Sequence, residues 1–362
     1  MEDWAVLMSL FPREWREEAQ RCGALERLRG FESAEVLIRT ILLHVARGYS
    51  LRETVVQARV AEIANVSDVA LLKRLRKSEG WLRRLCLSLL SESGVVLSEE
   101  SGGRSVRIVD GTIVKEPGKT GSQWRLLYSL QLPNLLCDFF DLTSAHGAGT
   151  GEALIRVPVR AGDLLLADAA YCSVAGIDHV VGRGGDVLVR VNPLTLVIYE
   201  RTGRRKQLLP YLRKLSKAGE VGDWTVFLQG REGLIEGRVC ALRKSETEIR
   251  KAERKLRRKA NKKQVELRPE TLEYAKYVMV FTTCKKAPAA QILTWYRVRW
   301  QIELAFRRLK SLAQLGHLPK YDDASSRAWL YGKLFVALLA QKLMRVGRDI
   351  SPWGYELHST TE

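Results

Sequence analysis

The stretch YRVRWQIELAFRRLK (Tyr296–Lys310) decides the reading of this chain. It contains neither Gly nor Pro, and its apolar residues Val298, Ile302, Ala305, Phe306 and Leu309 recur at helical spacing. One helix is therefore expected over the whole stretch. At ~100° per residue, Tyr296, Arg299, Glu303 and Lys310 fall within about 60° of one another on the opposite side. A tyrosine, an arginine, a carboxylate and a lysine then share one stripe. A solvated face with an Arg299–Glu303 ion pair would have the same composition. Arg four residues ahead of Glu is, however, the weaker orientation of such a pair, so helix stability alone explains the stripe poorly.

The intervals carry more information than the composition. Tyr, two residues, Arg, three, Glu, six, Lys is the YREK pattern, and Tyr296, Arg299, Glu303 and Lys310 match it at every interval. The stretch resembles the C-terminal catalytic helix of DDE transposases of bacterial insertion sequences, in the group named "IS-four". That resemblance implies two aspartates upstream, each in a particular setting.

The first candidate is Asp110, inside SVRIVDGTIVKEPG, a β-branched segment that opens a meander with WRLLYSLQLP and LLCDFFDLTS. A carboxylate flanked by Ile108, Val109, Ile113 and Val114 is costly to bury unless paired, hydrogen-bonded or metal-bound. A bulge at Gly111 that turns Asp110 outward is the alternative. In the RNase H-like fold the resemblance implies, the first catalytic Asp stands on the first, central strand. The second candidate is Asp168, which ends the apolar run of GDLLLADAAYCS ahead of helix-like AGIDHVVGRGG. The exit of a buried strand is where open α/β sheets gather ligands. The family pattern there is Asp-Arg-Gly-Tyr, whereas this chain has Asp168-Ala169-Ala170-Tyr171, keeping only the Asp and the Tyr. Asp138, Asp141 and Asp163 compete for the role, but none leaves an apolar strand before a helix.

The resemblance thus implies an α/β chain: an RNase H-like core with a mixed sheet and helices, interrupted by a β-rich insertion and preceded by a helical DNA-binding domain. The expected boundaries are 1–98 for the helical domain, 105–194 for the first part of the core, 195–275 for the insertion and 276–350 for the second part of the core. The helical region contains a capping-box arrangement at Ser50 and Glu53, a break at Asn65–Val66, and Ser67 ahead of DVALLKRLRKS. Lys73, Arg74, Arg76 and Lys77 make that last segment basic, as in a helix-turn-helix-like unit on duplex DNA; a helical hairpin with a solvated basic face would look the same. Within the insertion, SETEIRKAERKLRRKANKKQ (Ser245–Gln264) reads equally as a solvated helix or a phosphate-tracking arm. Tyr274, Tyr277 and Trp224 are candidates to stack on an unpaired base, with a place in the core as the commoner fate. An amphipathic helix from about Ser325 is expected to pack back onto the sheet, and His317 is expected to be structural.

Composition agrees with a polyanionic partner. The 362 residues carry 59 Lys plus Arg against 41 Asp plus Glu, a formal charge of +18 and a pI near 9.8. No apolar run approaches the ~18 residues of a membrane span. The acidic start MEDWAVLMSLF lacks a basic n-region, so no secretory signal is expected, and the resemblance implies the bacterial cytoplasm, at the nucleoid. Cys22, Cys86, Cys137, Cys172, Cys240 and Cys284 are scattered without a CxxC, which fits reduced thiols rather than a zinc site or a disulfide framework.

By resemblance, Asp110, Asp168 and Glu303 would hold two Mg2+ or Mn2+ ions. Arg299 and Lys310 would grip phosphates, and Tyr296 would touch a phosphate rather than act as nucleophile. The expected activity is recognition of double-stranded terminal inverted repeats, cleavage at the ends and joining to target DNA, with a homodimer at synapsis. A related RNase H-like nuclease would share the carboxylates. A decayed or domesticated copy would bind without cutting. A charge-driven nucleic-acid module would not predict the YREK spacing.

Overall fold

The computed structural model describes residues 4–350 apart from 27, 29, 93–103, 116–122, 133–134, 148, 312–317 and 319–321. His317 therefore lies outside the described residues. Six helices come first: α1 (Trp4–Ser9), α2 (Trp15–Arg21), α3 (Ala34–Arg47), α4 (Leu51–Val60), α5 (Asp68–Lys77) and α6 (Glu79–Glu92). Their ends follow local chemistry. Ser33, Ser50 and Ser67 cap α3, α4 and α5 by accepting from the backbone N–H three residues on. At α4 the Glu53 carboxylate returns the bond, completing the capping box. Gly48 closes α3 at φ 73°, a left-handed conformation that favours glycine.

The meander then forms as expected, with β1 (Val106–Lys115), β2 (Gln123–Gln131) and β3 (Leu136–Ser144) pairing antiparallel. β4 (Leu164–Ala167), α7 (Val174–Val181) and β5 (Asp186–Arg190) follow, and β4 runs parallel to both β1 and β5. Residues 195–275 supply α8 (Leu209–Leu212), β6 (Val221–Gln229), β7 (Leu234–Arg243), α9 (Glu246–Lys263) and α10 (Pro269–Ala275). Within TLVIYERTG, Tyr199 makes only isolated bridges, to Arg205 and Phe227. The chain returns through β8 (Tyr277–Thr282), then α11 (Ala289–Arg297), α12 (Trp300–Ser311) and α13 (Asp323–Ile350). All the described strands form one mixed sheet in the order β3-β2-β1-β4-β5-β8-β7-β6.

Strand periodicity divides the core between the two faces of this sheet. Ile108, Leu164, Leu166 and Leu188 join the apolar cluster shared with the N-terminal helices and α11–α13. Their neighbours Val109, Leu165, Ala167, Val187 and Val189 join a second cluster with α7 and the 195–275 segment. β4 is buried at every position, which accounts for its unbroken apolar run. The expected return of the last helix to the sheet holds only in part. Tyr331 of α13 meets Phe140 of β3, but most of α13 packs along α6, α3 and α5.

One expectation is corrected. The YREK stretch is not a single helix: α11 ends at Arg297 and α12 starts at Trp300. At the junction the backbone bonds tighten to i→i+3, from Arg299 N–H to the Tyr296 carbonyl at 3.1 Å and from Ile302 N–H to the Arg299 carbonyl at 3.2 Å. The reason is tertiary. α11 packs mainly against β7, β8 and β6, whereas α12 lies over β1, so the chain must turn between two parts of the sheet.

Candidate active site

The centre of the sheet brings the two aspartates together. Ile108 of β1 is level with Leu166 of β4 in a parallel register. Two residues further on, the same register brings Asp110 beside Asp168, close enough for the charge of Asp168 to act on it. Asp168 leaves β4 and caps a single 3₁₀ turn, Ala169–Tyr171, where its Oδ1 accepts the Ala170 N–H at 2.8 Å. A short acceptor followed by two alanines suits such a turn.

Asp110 is the more constrained of the pair. Its Oδ1 accepts the Gly111 N–H at 2.8 Å, and its Oδ2 lies 3.3 Å from an Arg299 nitrogen. Burial pushes its pKa up to about 6 and the neighbouring Asp168 charge adds to this, while the Gly111 N–H and Arg299 pull it down. The other terminal nitrogen of Arg299 donates to Glu303 Oε1 at 2.6 Å. One guanidinium therefore bridges the strand carboxylate and the helix carboxylate. Tyr296, one tight turn earlier, is partly buried against Arg299, Arg190 and Asp168, and burial raises its phenol to about 12. Phe306 of α12 lies with its ring centroid 5.9 Å from that of Tyr128, the β2 partner of Asp110, and so seats α12 over this part of the sheet.

The YREK face thus survives the break in the helix, because residues three apart nearly eclipse in a 3₁₀ turn. Lys310 stands exposed about two turns beyond Glu303, away from the carboxylates. Among the described residues, no three His, Cys, Asp or Glu side chains are gathered closely enough to hold a metal ion. Arg299 stands between Asp110 and Glu303, and the site's donors are hard carboxylate oxygens. Such a donor set suits Mg2+ or Mn2+, and the desolvated Asp110 carboxylate, beside a second aspartate, is compensated by Arg299 at 3.3 Å. The residues fit a divalent cation, with the Arg299 guanidinium standing in for part of its charge.

The competing aspartates are engaged elsewhere. Asp138 and Asp163 both pair with the buried Arg107, and Asp141 receives Arg156 at 2.6 Å. On α5, Lys73 is exposed. Arg74 donates to the Ala24 carbonyl, Arg76 pairs with Asp322 at the start of α13, and Lys77 pairs with Glu26. These basic residues lie in the helical layer and are not part of the carboxylate site. Two groups of that site were not anticipated from sequence. Glu152, in the loop after β3, lies near Asp168 and is 4.0 Å from Arg125. Arg190, at the end of β5, lies near Tyr296. The one sequence signal was Gly111 within a strand, which marks a close approach.

A family profile described as "Transposase DDE domain" matches residues 101–339, which include Asp110, Asp168 and the YREK positions. The chain is 31% identical over 362 residues to the transposase for insertion sequence element IS421 of Escherichia coli, covering 97% of this chain and 96% of that protein. InsL, of insertion sequence element IS186A in Escherichia coli (strain K12), is also 31% identical, over 361 residues with the same coverage. The transposase for IS231B of Bacillus thuringiensis subsp. berliner is 23% identical over 377 residues, 92% of this chain and 78% of that protein. Among the described residues no helix is long and apolar enough to cross a membrane. The carboxylates on β1, after β4 and on α12, together with these matches, make the chain a member of the DDE transposases of insertion sequences.

Proposed function

We propose that Asp110, Asp168 and Glu303 are the catalytic carboxylates of an RNase H-like core. The reading is carried by the β1–β4 register, which sets Asp110 beside Asp168, and by the guanidinium that links Asp110 to Glu303. The strand order β3-β2-β1-β4-β5, with β4 and β5 parallel to β1, supports that core. Residues 1–98 form the helical DNA-binding domain, 105–194 and 276–350 the core, and 195–275 the insertion, whose β6 and β7 widen the sheet.

Two Mg2+ or Mn2+ ions held there would supply activation of the attacking water or 3′-hydroxyl and stabilisation of the leaving oxygen of an in-line displacement. Asp110, Asp168 and Glu303 would hold them. Arg299 has two terminal nitrogens on carboxylates and can turn them to two phosphate oxygens of the scissile strand. Tyr296, held neutral by burial, donates a hydrogen bond to a phosphate rather than attacking it. Lys310 meets the strand further along α12.

The substrate is double-stranded DNA: the terminal inverted repeats of the element and a target site. Lys73, Arg74, Arg76 and Lys77 contribute to its binding, Lys73 directly and the other three after exchanging their present partners for phosphate. α9 exposes Arg254, Arg257, Arg258, Lys262 and Lys263 and buries only Ile249, which supports a phosphate-tracking role over a packing one. Beside it lies a cleft of about 340 Å³ lined by Arg190, Lys244, Lys255, Lys259 and Tyr274. Tyr277 is buried and Trp224 packs on Tyr211, so Tyr274 is the aromatic best placed to meet an unpaired base. Two ends are brought together by a homodimer.

The test is Mg2+-dependent cleavage of linear DNA bearing the element's ends, with gel-shift binding in parallel. Asp168→Asn and Glu303→Gln should each lose cleavage by about 10³-fold or more, the several kcal/mol that metal-assisted charge stabilisation supplies. Both should bind DNA as the wild type does. Cleavage retained in either variant would remove that residue from the catalytic set.

A further inference from the structure

Gly111, the residue after Asp110, leaves a gap on the opposite face of β1. A β-carbon built there would lie 3.0 Å from a Glu152 carboxylate oxygen, 3.1 Å from Glu152 Cγ and 3.2 Å from the Tyr171 hydroxyl. Both oxygens therefore border a space that any other side chain at 111 would fill. They come from separate elements, Glu152 from the loop after β3 and Tyr171 from the turn that Asp168 caps.

Tyr171 is fully buried, and its hydroxyl has no hydrogen-bonding partner among the described residues. A buried hydroxyl left unpaired is costly, so its position needs a reason. Its electrostatic neighbours are Asp110, Glu152 and Asp168, with Arg125 acting in the opposite sense. Glu152 is about three-quarters buried, and its closest cation is Arg125 at 4.0 Å, beyond hydrogen-bonding distance. The Arg125 Nε is also buried without a hydrogen-bonding partner among the described residues. Glu152 thus brings a fourth carboxylate up to the aspartate pair with weak compensation, next to a hydroxyl that has a proton to donate.

We propose that Glu152 and Tyr171 are positioning residues of the catalytic centre, acting through Asp110 and Asp168 from beneath Gly111. The Tyr171 hydroxyl, without a partner among the described residues, is available to donate to the carboxylate cluster and fix its orientation. Glu152 adds negative charge where a divalent cation is to be retained. Groups standing behind metal ligands in this way typically contribute 10- to 100-fold in metal affinity. The inference rests on the assignment of Asp110 and Asp168 as metal ligands.

Mn2+ binding to the full-length chain, measured by calorimetry or by the electron-spin signal of free Mn2+, reads the effect without turnover. Glu152→Gln should weaken Mn2+ binding by about tenfold or more. Its thermal melting and gel-shift binding should stay as in the wild type, and Glu152→Asp should restore part of the loss. Tyr171→Phe should weaken Mn2+ binding by a smaller factor. If Asp168→Asn loses Mn2+ while Glu152→Gln keeps wild-type affinity, Glu152 has no such role and the carboxylate assignment stands. Wild-type affinity in both variants would overturn both readings. Should Glu152→Gln fail to fold, Gly111→Ala decides, because its methyl crowds both oxygens: weakened Mn2+ binding is expected, and unchanged binding overturns the inference.

Discussion

β1 carries two charged clusters three residues apart, and they are built to opposite ends. Arg107 is 5% exposed and sits between two carboxylates, with Nε 2.5 Å from Asp138 and a terminal nitrogen 3.0 Å from Asp163. That terminal nitrogen also donates to the Pro158 carbonyl at 2.6 Å. Asp138 is the extra residue where β3 shifts register against β2, and the bulge lets it reach Arg107. Around Asp110 the same ingredients are held loosely. The nearest Arg299 nitrogen is at 3.3 Å, Asp168 accepts a backbone N–H, and Arg125 stays 4.0 Å from Glu152. The Arg107 cluster ties β1, β3 and the start of β4 together. The Asp110 cluster keeps carboxylate charge unspent.

The largest effect should come from breaking the tight cluster. Arg107→Leu leaves two carboxylates buried against each other without their cation, which costs about 3–5 kcal/mol. A urea titration should show the midpoint falling sharply. By contrast, Asp168→Asn should leave that midpoint nearly unchanged while cleavage is lost. Equal stability losses in the two variants would erase the distinction between the clusters.

A smaller effect with a definite sign is expected at Asp110. Its folded pKa is about 6, against 3.8 for the free side chain. Between those values the folded chain holds a proton that the unfolded chain has released, so stability falls as pH rises through the window. The deficit is complete above about pH 6 and amounts to ~3 kcal/mol, for a pKa raised by roughly two. Asn does not ionise. Asp110→Asn should therefore be more stable than the wild type at pH 7.5, with the gap closing towards pH 4, and added Mn2+ should stabilise only the wild type. A gap that does not vary with pH would mean that burial of the carboxylate is not its cause.

The parts of the site that could be read from the sequence are those with a period or a fixed interval. An apolar run ending at Asp168, a β-branched run around Asp110 and the YREK intervals each have a local cause, and the strands and α12 follow it. The break at Val298–Arg299 was not legible, because Val298, Ile302 and Phe306 continue the apolar period through it. What bends the chain is the separation of β7 and β8 from β1 across the sheet. Glu152 was invisible for another reason. It lies in an irregular loop, and only the fold brings it under Gly111. The pairing of Arg76 on α5 with Asp322, 246 residues away, was equally out of reach of local sequence.

The finest test concerns the guanidinium between Asp110 and Glu303. Arg299 holds Asp110 and Glu303 at once, so a cation drawing on both must displace it. The natural alternative partner for Arg299 is a DNA phosphate, which offers the same paired oxygens. DNA binding and metal binding should then assist one another, and removing the charge should separate them. Arg299→Gln keeps a polar side chain while abolishing the competition. Without DNA it should bind Mn2+ several-fold more tightly than the wild type, the ~1 kcal/mol scale of a partly exposed ion pair. With DNA it should bind more weakly, and the slope of log affinity against log salt should fall by about one. Unchanged or weaker Mn2+ binding in the free protein would show that Arg299 supports the carboxylates rather than competing for them. In that case the contrast between the two clusters on β1 would be one of distance alone.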